Sequence, residues 1–210
     1  MVPEKTIGRL SLYRRLLRAM QSRGVKHVFS HELANAARVT AAQVRRDIMA
    51  LGYSGSPVRG YDVTELIGSI AGKLDAPETE GVALVGVGNL GRAIMAFFSG
   101  RRPKLAITAA FDIDPEKVNR VIHGVRCYPA DETEKVIREQ GIRLAIIAVP
   151  ASLAQAVTDQ LVRAGVRGIL NFAPLPLRFG PGIHVEAMDM TSALEKVAYF
   201  ARQEAVAADR

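Results

Sequence analysis

Apolar side chains recur at helical intervals over the first quarter of the chain and in short unbroken runs after it. Ile7, Leu10, Tyr13, Leu16, Leu17 and Met20 share one face of a helix, and Gly24 lies where that helix should close. Ser30 stands where it can cap a short second helix carrying Leu33, Ala36 and Ala37. Thr40-Ala41-Ala42-Gln43 has the spacing of a capping box, in which a Thr side chain and a Gln three residues on satisfy each other's backbone donors. The helix it opens buries Val44, Ile48 and Leu51, stops at Gly52 and turns Gln43, Arg45, Arg46 and Met49 outward. Two short helices joined by Arg38-Val39 predict a helix-turn-helix. The turn-rich stretch from Tyr53 to Tyr61, aromatic at both ends, predicts a β-wing after it.

The pattern changes at Asp75-Ala76-Pro77-Glu78-Thr79-Glu80, a polar, acidic, proline-bearing stretch of linker type. Beyond it, strands and helices alternate. Val82-Ala83-Leu84-Val85 is a short apolar strand, residues 105–111 form a second, residues 144–150 a third and residues 166–172 a fourth, with a helix over residues 152–164. Such alternation is what a doubly wound parallel sheet needs. The expected fold is therefore α/β: a winged helix-turn-helix over residues 1–76, a Rossmann-type sheet over 77–190 and a C-terminal helix over 191–210.

Charge sharpens this division. The first 60 residues hold eleven Lys or Arg against three acids, whereas the other 150 are close to neutral, so the whole net charge of +7 resides on the helical module. A basic module on a neutral body suits a polyanion. Gln43, Arg45 and Arg46, with Thr40 at the helix start, could meet base edges or phosphates, and Arg14, Arg18 and Arg59 phosphates. With 49% hydrophobic residues the chain can build real cores, and no run approaches the ~20 apolar residues of a membrane span. A start charged from Glu4 onward, without the apolar core of a secretory signal, and a single cysteine, Cys127, lead to the expectation of a cytoplasmic protein.

The first strand of the second part runs into Gly86-Val87-Gly88-Asn89-Leu90-Gly91, the G-x-G-x-x-G turn. There the first glycine allows the tight turn, the second lets a pyrophosphate approach, and the third lets helix pack on strand. The next strand ends in Asp112, 26 residues after Gly86, an acid placed to accept from ribose hydroxyls and to favour NAD(H) over NADP(H). A small NAD-dependent oxidoreductase with a helical dimerisation module is the rival reading, and a nucleotide-sensing scaffold that binds an acidic protein is a third. Against an enzyme, roughly 40 residues follow Asn171-Phe172-Ala173-Pro174, fewer than an ordinary catalytic domain holds. His27, His31, His123 and His184 show no general-base spacing, and neither a catalytic residue nor a metal-ligand cluster stands out.

Taken together, Val2-Pro3-Glu4, residues 40–47 (TAAQVRRD), the GVGNLGRA turn, the stretch from Phe111 to Lys117 (FDIDPEK), Val149-Pro150 and residues 165–174 (GVRGILNFAP) resemble the Rex redox-sensing transcriptional repressors of bacteria, over essentially the whole chain. The resemblance implies a homodimer on palindromic operator DNA, with NADH binding releasing the DNA and NAD⁺ permitting repression. It implies nucleotide contacts from Gly86, Val87, Gly88, Asn89, Leu90, Gly91, Asp112, Asp114, Val149, Pro150 and Asn171, with Phe97 and Met190 near the nicotinamide. It also implies a switch pair of Arg15 with Asp189, and a C-terminal helix packed on the partner through Leu194, Val197, Ala198 and Ala201. The chain departs from the family where Phe97 replaces a common tyrosine, Met190 a common phenylalanine, and Ser56-Pro57-Val58-Arg59 the usual Arg-Gly run of the wing.

Overall fold

The computed structural model describes residues 2–100 and 104–208, so the last two residues of the expected C-terminal helix lie outside those described. Contacts divide the chain into two units, Met1–Pro77 and Glu78–Arg210.

In the first unit, α1 (Glu4–Gln21) follows Pro3, whose restricted φ leads into a helix without needing an N–H. Leu10, Tyr13 and Leu17 on its inner face are fully buried. Gly24, at φ +81°, makes the turn into β1 (His27–Val28). Next come α2 (Ser30–Ala37) and α3 (Ala41–Met49), joined through Arg38 in the left-handed region at φ 55°. A two-residue strand, β2 (Tyr61–Asp62), pairs antiparallel with β1. Finally α4 (Val63–Leu74), capped by the Asp62 carboxylate on the Glu65 N–H, packs on α1. Val63, Leu66 and Ile70 from α4 complete one core with Leu33, Val44 and Ile48.

Two sequence expectations need correction here, and the wing proves short. Ser30 is the first residue of α2 and not its cap: the Phe29 N–H is held by Glu32 Oε2 at 2.7 Å, while Ser30 Oγ accepts from Arg45. Leu33 and Ala37 of α2 are buried as expected, but Ala34 is the third inward residue and Ala36 is exposed. The wing is a closed turn, with reciprocal 2.8 Å hydrogen bonds between Ser56 and Gly60 and no longer strands, because Pro57 cannot extend a ladder.

The second unit contains β3 (Glu80–Val85), α5 (Asn89–Phe98), β4 (Leu105–Asp112), β5 (Val121–Ile122), β6 (Val125–Pro129), α6 (Thr133–Glu139), β7 (Leu144–Ile147), α7 (Ala151–Ala164), β8 (Gly168–Asn171), β9 (His184–Ala187) and α8 (Met190–Ala208). Among the described residues they build one seven-stranded sheet, in the order β5-β6-β4-β3-β7-β8-β9. Only the β5–β6 hairpin is antiparallel. The six parallel strands follow the Rossmann order, in which the chain reverses direction between β4 and β7, on either side of β3. Alternation along β3 sends Ala83 and Val85 toward α6 and α7, and Val82 and Leu84 toward α5. On the α5 side, an apolar groove of about 240 Å³ remains over β7 and β8, lined by Leu144, Ile146, Leu170 and His184 among others. On α8, Leu194 is 69% and Val197 65% exposed, so this helix does not bury its stripe on its own sheet.

Candidate nucleotide site and nucleic-acid interface

The crevice at the carboxyl ends of β3, β4 and β7 is where an open parallel sheet binds ligands. Gly86 turns there at φ +96°, and a side chain on it would meet the Ala148 carbonyl at 2.5 Å. A side chain on Gly91 would run into the Gly86 carbonyl, so α5 rests directly on the turn. The space above Gly88 is open, and the first N–H groups of α5 lack partners within the helix. Helix N-terminus and open glycine together form a cradle that fits a pyrophosphate.

Asp112 closes the turn. Its Oδ2 accepts from the Val87 N–H at 2.7 Å and its Oδ1 from the Asp114 N–H at 2.9 Å. Lys117 Nζ lies 3.5 Å from Asp112 Oδ2 and 3.1 Å from Asp114 Oδ2. The Glu116 N–H and then Lys117 hold Asp114 below the ordinary carboxylate range, and Asp114 in turn pushes Lys117 up. A cavity of about 420 Å³ gathers Gly86, Gly88, Asp112, Asp114, Val149 and Pro150, with Ile113, Leu153 and Val157 as an apolar wall. Lys117, which sequence gives only as the end of the Phe111–Lys117 stretch, thus joins the site and offsets part of the charge that should repel a 2′-phosphate.

The other expected nucleotide residues stand apart from that cavity. Val87 is buried in the core and its N–H is donated to Asp112; Leu90 packs on the same core; Asn89 is exposed and accepts from Arg92 at 2.9 Å. Asn171 needs correction: it is buried, and its amide is spent on the loop after β8, donating to Ala173 O and Leu175 O and accepting from the Ala173 N–H. Phe97, edge-on to Phe98 late in α5, and Met190, opening α8, are both exposed and are not among the residues lining the cavity. Asp189 caps α8 by accepting from the Ser192 N–H at 2.9 Å.

In the first unit, Thr40 Oγ1 accepts from the Gln43 N–H at 3.1 Å, so the cap forms. The reciprocal half of the box does not, because the Gln43 side chain turns to Asp47 and Arg46. Arg45 and Arg46 are exposed on α3, Arg59 on the wing and Arg15 on α1. Arg45, Ser30, Ser56 and Tyr61 line a small concavity between α3 and the wing. Arg14 cannot serve a phosphate as expected: it is 7% exposed and bound to Asp75 at 2.5 Å, because it falls on the inner face of α1. The largest omission is Asp47, read only as part of a motif and in fact buried at the join of α1 and α3.

Residues 1–48 match the family described as putative DNA-binding protein N-terminus, and residues 77–175 the CoA binding domain. The chain is 43% identical to the redox-sensing transcriptional repressor Rex of Roseiflexus sp. (strain RS-1) over 198 residues, 94% of this chain and 90% of that one. It is 40% identical to the Rex of Limosilactobacillus fermentum (strain NBRC 3956 / LMG 18251) over 208 residues, 99% and 96% of the two chains. The chain belongs to the Rex family of redox-sensing transcriptional repressors. A solved Rex-family repressor, RSP, matches all of it at 30% identity with a TM-score of 0.90, over 99% of its own length. RSP in complex with β-NAD⁺ and operator DNA matches at 31% identity and 0.90, over 100% of this chain and 96% of that one. RSP with β-NADH matches at 30% and 0.87, over 100% and 98%. Within the Rex family this chain's wing is a short turn with exposed Val58 and Arg59.

Proposed function

We propose that this chain is an NADH-responsive repressor, not an enzyme, that acts in the cytoplasm as a homodimer on operator DNA. The observation that carries the reading is the joining, in one chain with full-length Rex relatives, of a Rossmann crevice to a basic helix-turn-helix. Residues 1–76 bind DNA, 77–190 bind the nucleotide, and 191–210 hold the dimer. In the crevice, Gly86, Gly88 and the first N–H groups of α5 receive the pyrophosphate, Asp112 the ribose hydroxyls, and Val149 and Pro150 wall the ligand in. The nucleotide supplies the redox signal, since NADH carries an uncharged ring where NAD⁺ carries a cationic one. Phe97 and Met190 face that ring, and Arg15 pairs with Asp189 in one of the two states, biasing the arrangement of the modules.

On DNA, α3 reads the major groove through Gln43 and Arg46, while Thr40, Arg45 and Arg59 hold phosphates. The exposed Leu194 and Val197 of α8 seat on a second copy. The direct test selects fragments from upstream regions at fixed salt and compares wild type with Arg46→Ala. The expected result is specific retention of a palindromic site by the wild type, with preference lost in the variant. Retention indifferent to sequence in the wild type would overturn the proposal.

A further inference from the structure

Asp47 lies in the last turn of α3 and is only 3% exposed, an expensive place for a carboxylate unless its oxygens are filled. Four donors fill them. Oδ2 accepts from Arg9 Nε at 2.6 Å and from the Tyr13 hydroxyl at 3.0 Å. Oδ1 accepts from Arg9 Nη2 at 2.8 Å and from Gln43 Nε2 at 2.8 Å. Stability alone does not account for such a cluster, because an apolar group of similar volume often serves a buried position as well or better.

We infer that Asp47 is a positioning residue for sequence reading, fixing the Gln43 amide and, through it, Arg46. This rests on α3 being the helix that reads DNA. A carboxylate can only accept, so the NH₂ end of Gln43 must face Asp47 and its carbonyl must face away. That outward Oε1 accepts from Arg46 Nη2 at 2.9 Å. A continuous chain of hydrogen bonds therefore runs from Arg9 and Tyr13 on α1, through Asp47 and Gln43, to the exposed guanidinium of Arg46. Gln43 keeps one N–H and one lone pair free, the donor–acceptor couple that an adenine edge requires, and Arg46 keeps the N–H groups that a guanine edge requires. Without Asp47 the amide can flip, and Arg46 loses the acceptor that holds its long side chain in one rotamer. The carboxylate thus preorganises two flexible readers before DNA arrives.

The experiment is a binding panel of the full-length protein on an operator and its single-base-pair variants, at one salt concentration. Arg46→Ala first locates the base pair that Arg46 reads. Asp47→Asn, folded by circular dichroism, should then lose about tenfold of the discrimination at that pair, while its affinity for non-specific DNA does not fall. Gln43→Leu, which leaves the Arg9–Asp47–Tyr13 cluster intact, should lose discrimination at the Arg46 pair although Arg46 is present; this variant decides the matter if Asp47→Asn does not fold. Undiminished discrimination at the Arg46 pair in the folded variants, or a loss equal on every sequence, overturns the role of Asp47 alone. A wild type that discriminates nowhere, or an Arg46→Ala that moves nothing, overturns the reading of α3 itself.

Discussion

Asp47 and Gly91 mark the two ways in which a single residue escapes or reveals itself in sequence. Gly91 was legible because its spacing from Gly86 and Gly88 states a geometric need. Its position against the Gly86 carbonyl means that Gly91→Ala must push α5 off β3, and thermal unfolding should register a loss of about 1–3 kcal/mol together with weaker nucleotide binding. Asp47 was not legible, because on a helix carrying Arg45 and Arg46 an acid reads as one more surface charge. Its burial is set by Arg9 and Tyr13, 38 and 34 residues away in sequence. Burial pushes the Asp47 carboxyl up, but hydrogen bonds from Arg9, Gln43 and Tyr13 outweigh it and hold the group below its ordinary value. A carboxyl depressed by folding stabilises the native state above its unfolded pKa, near 4, and that contribution is lost as pH falls through the lower folded value. Urea melts should show the helical module weakening below about pH 4, with a flatter acid limb in Asp47→Asn. The same variant should be about 1–3 kcal/mol less stable at neutral pH, since one of the two oxygens shared by Arg9, Tyr13 and Gln43 becomes an NH₂ that faces donors.

Elements with a long period were legible and short ones were not. The stripe of α1 and the runs of β3, β4, β7 and β8 declare their type through many positions. By contrast, β1, β2 and β5 have two residues each, too few for any alternation, and β9 is an edge strand with three exposed residues. The twelve-residue α4 was passed over, although Asp62 three residues before Glu65 and the spacing of Val63, Leu66 and Ile70 signal it. In α3 the capping box was half right, because Thr40 does cap but Gln43 is drawn to Asp47. Thr40→Ala should therefore cost about 1 kcal/mol in denaturant unfolding, the ordinary loss of one cap. Asn171 shows what sequence cannot give, the use of a side-chain amide within its own loop. The loop after β8 folds back on its own strand end, and the amide bonds three of its backbone groups, the Ala173 N–H and the Ala173 and Leu175 carbonyls.

For the whole molecule, the two-part plan was readable from the change of period and from the charge confined to one part. What no single chain's pattern reveals is the use of α8, whose apolar stripe stays in water here. If that stripe joins two copies, Val197→Asp should shift sedimentation from dimer toward monomer and weaken operator binding, because one half-site alone holds too few contacts. An unchanged sedimentation coefficient would place the dimer contact elsewhere. The central claim, that occupancy of the Rossmann crevice governs DNA binding, is met most directly by following the anisotropy of a labelled operator, bound by this protein at constant salt, while NADH is added. NADH should release the operator at concentrations where NAD⁺ leaves the complex intact. A complex indifferent to NADH, or released equally by NAD⁺, would contradict it.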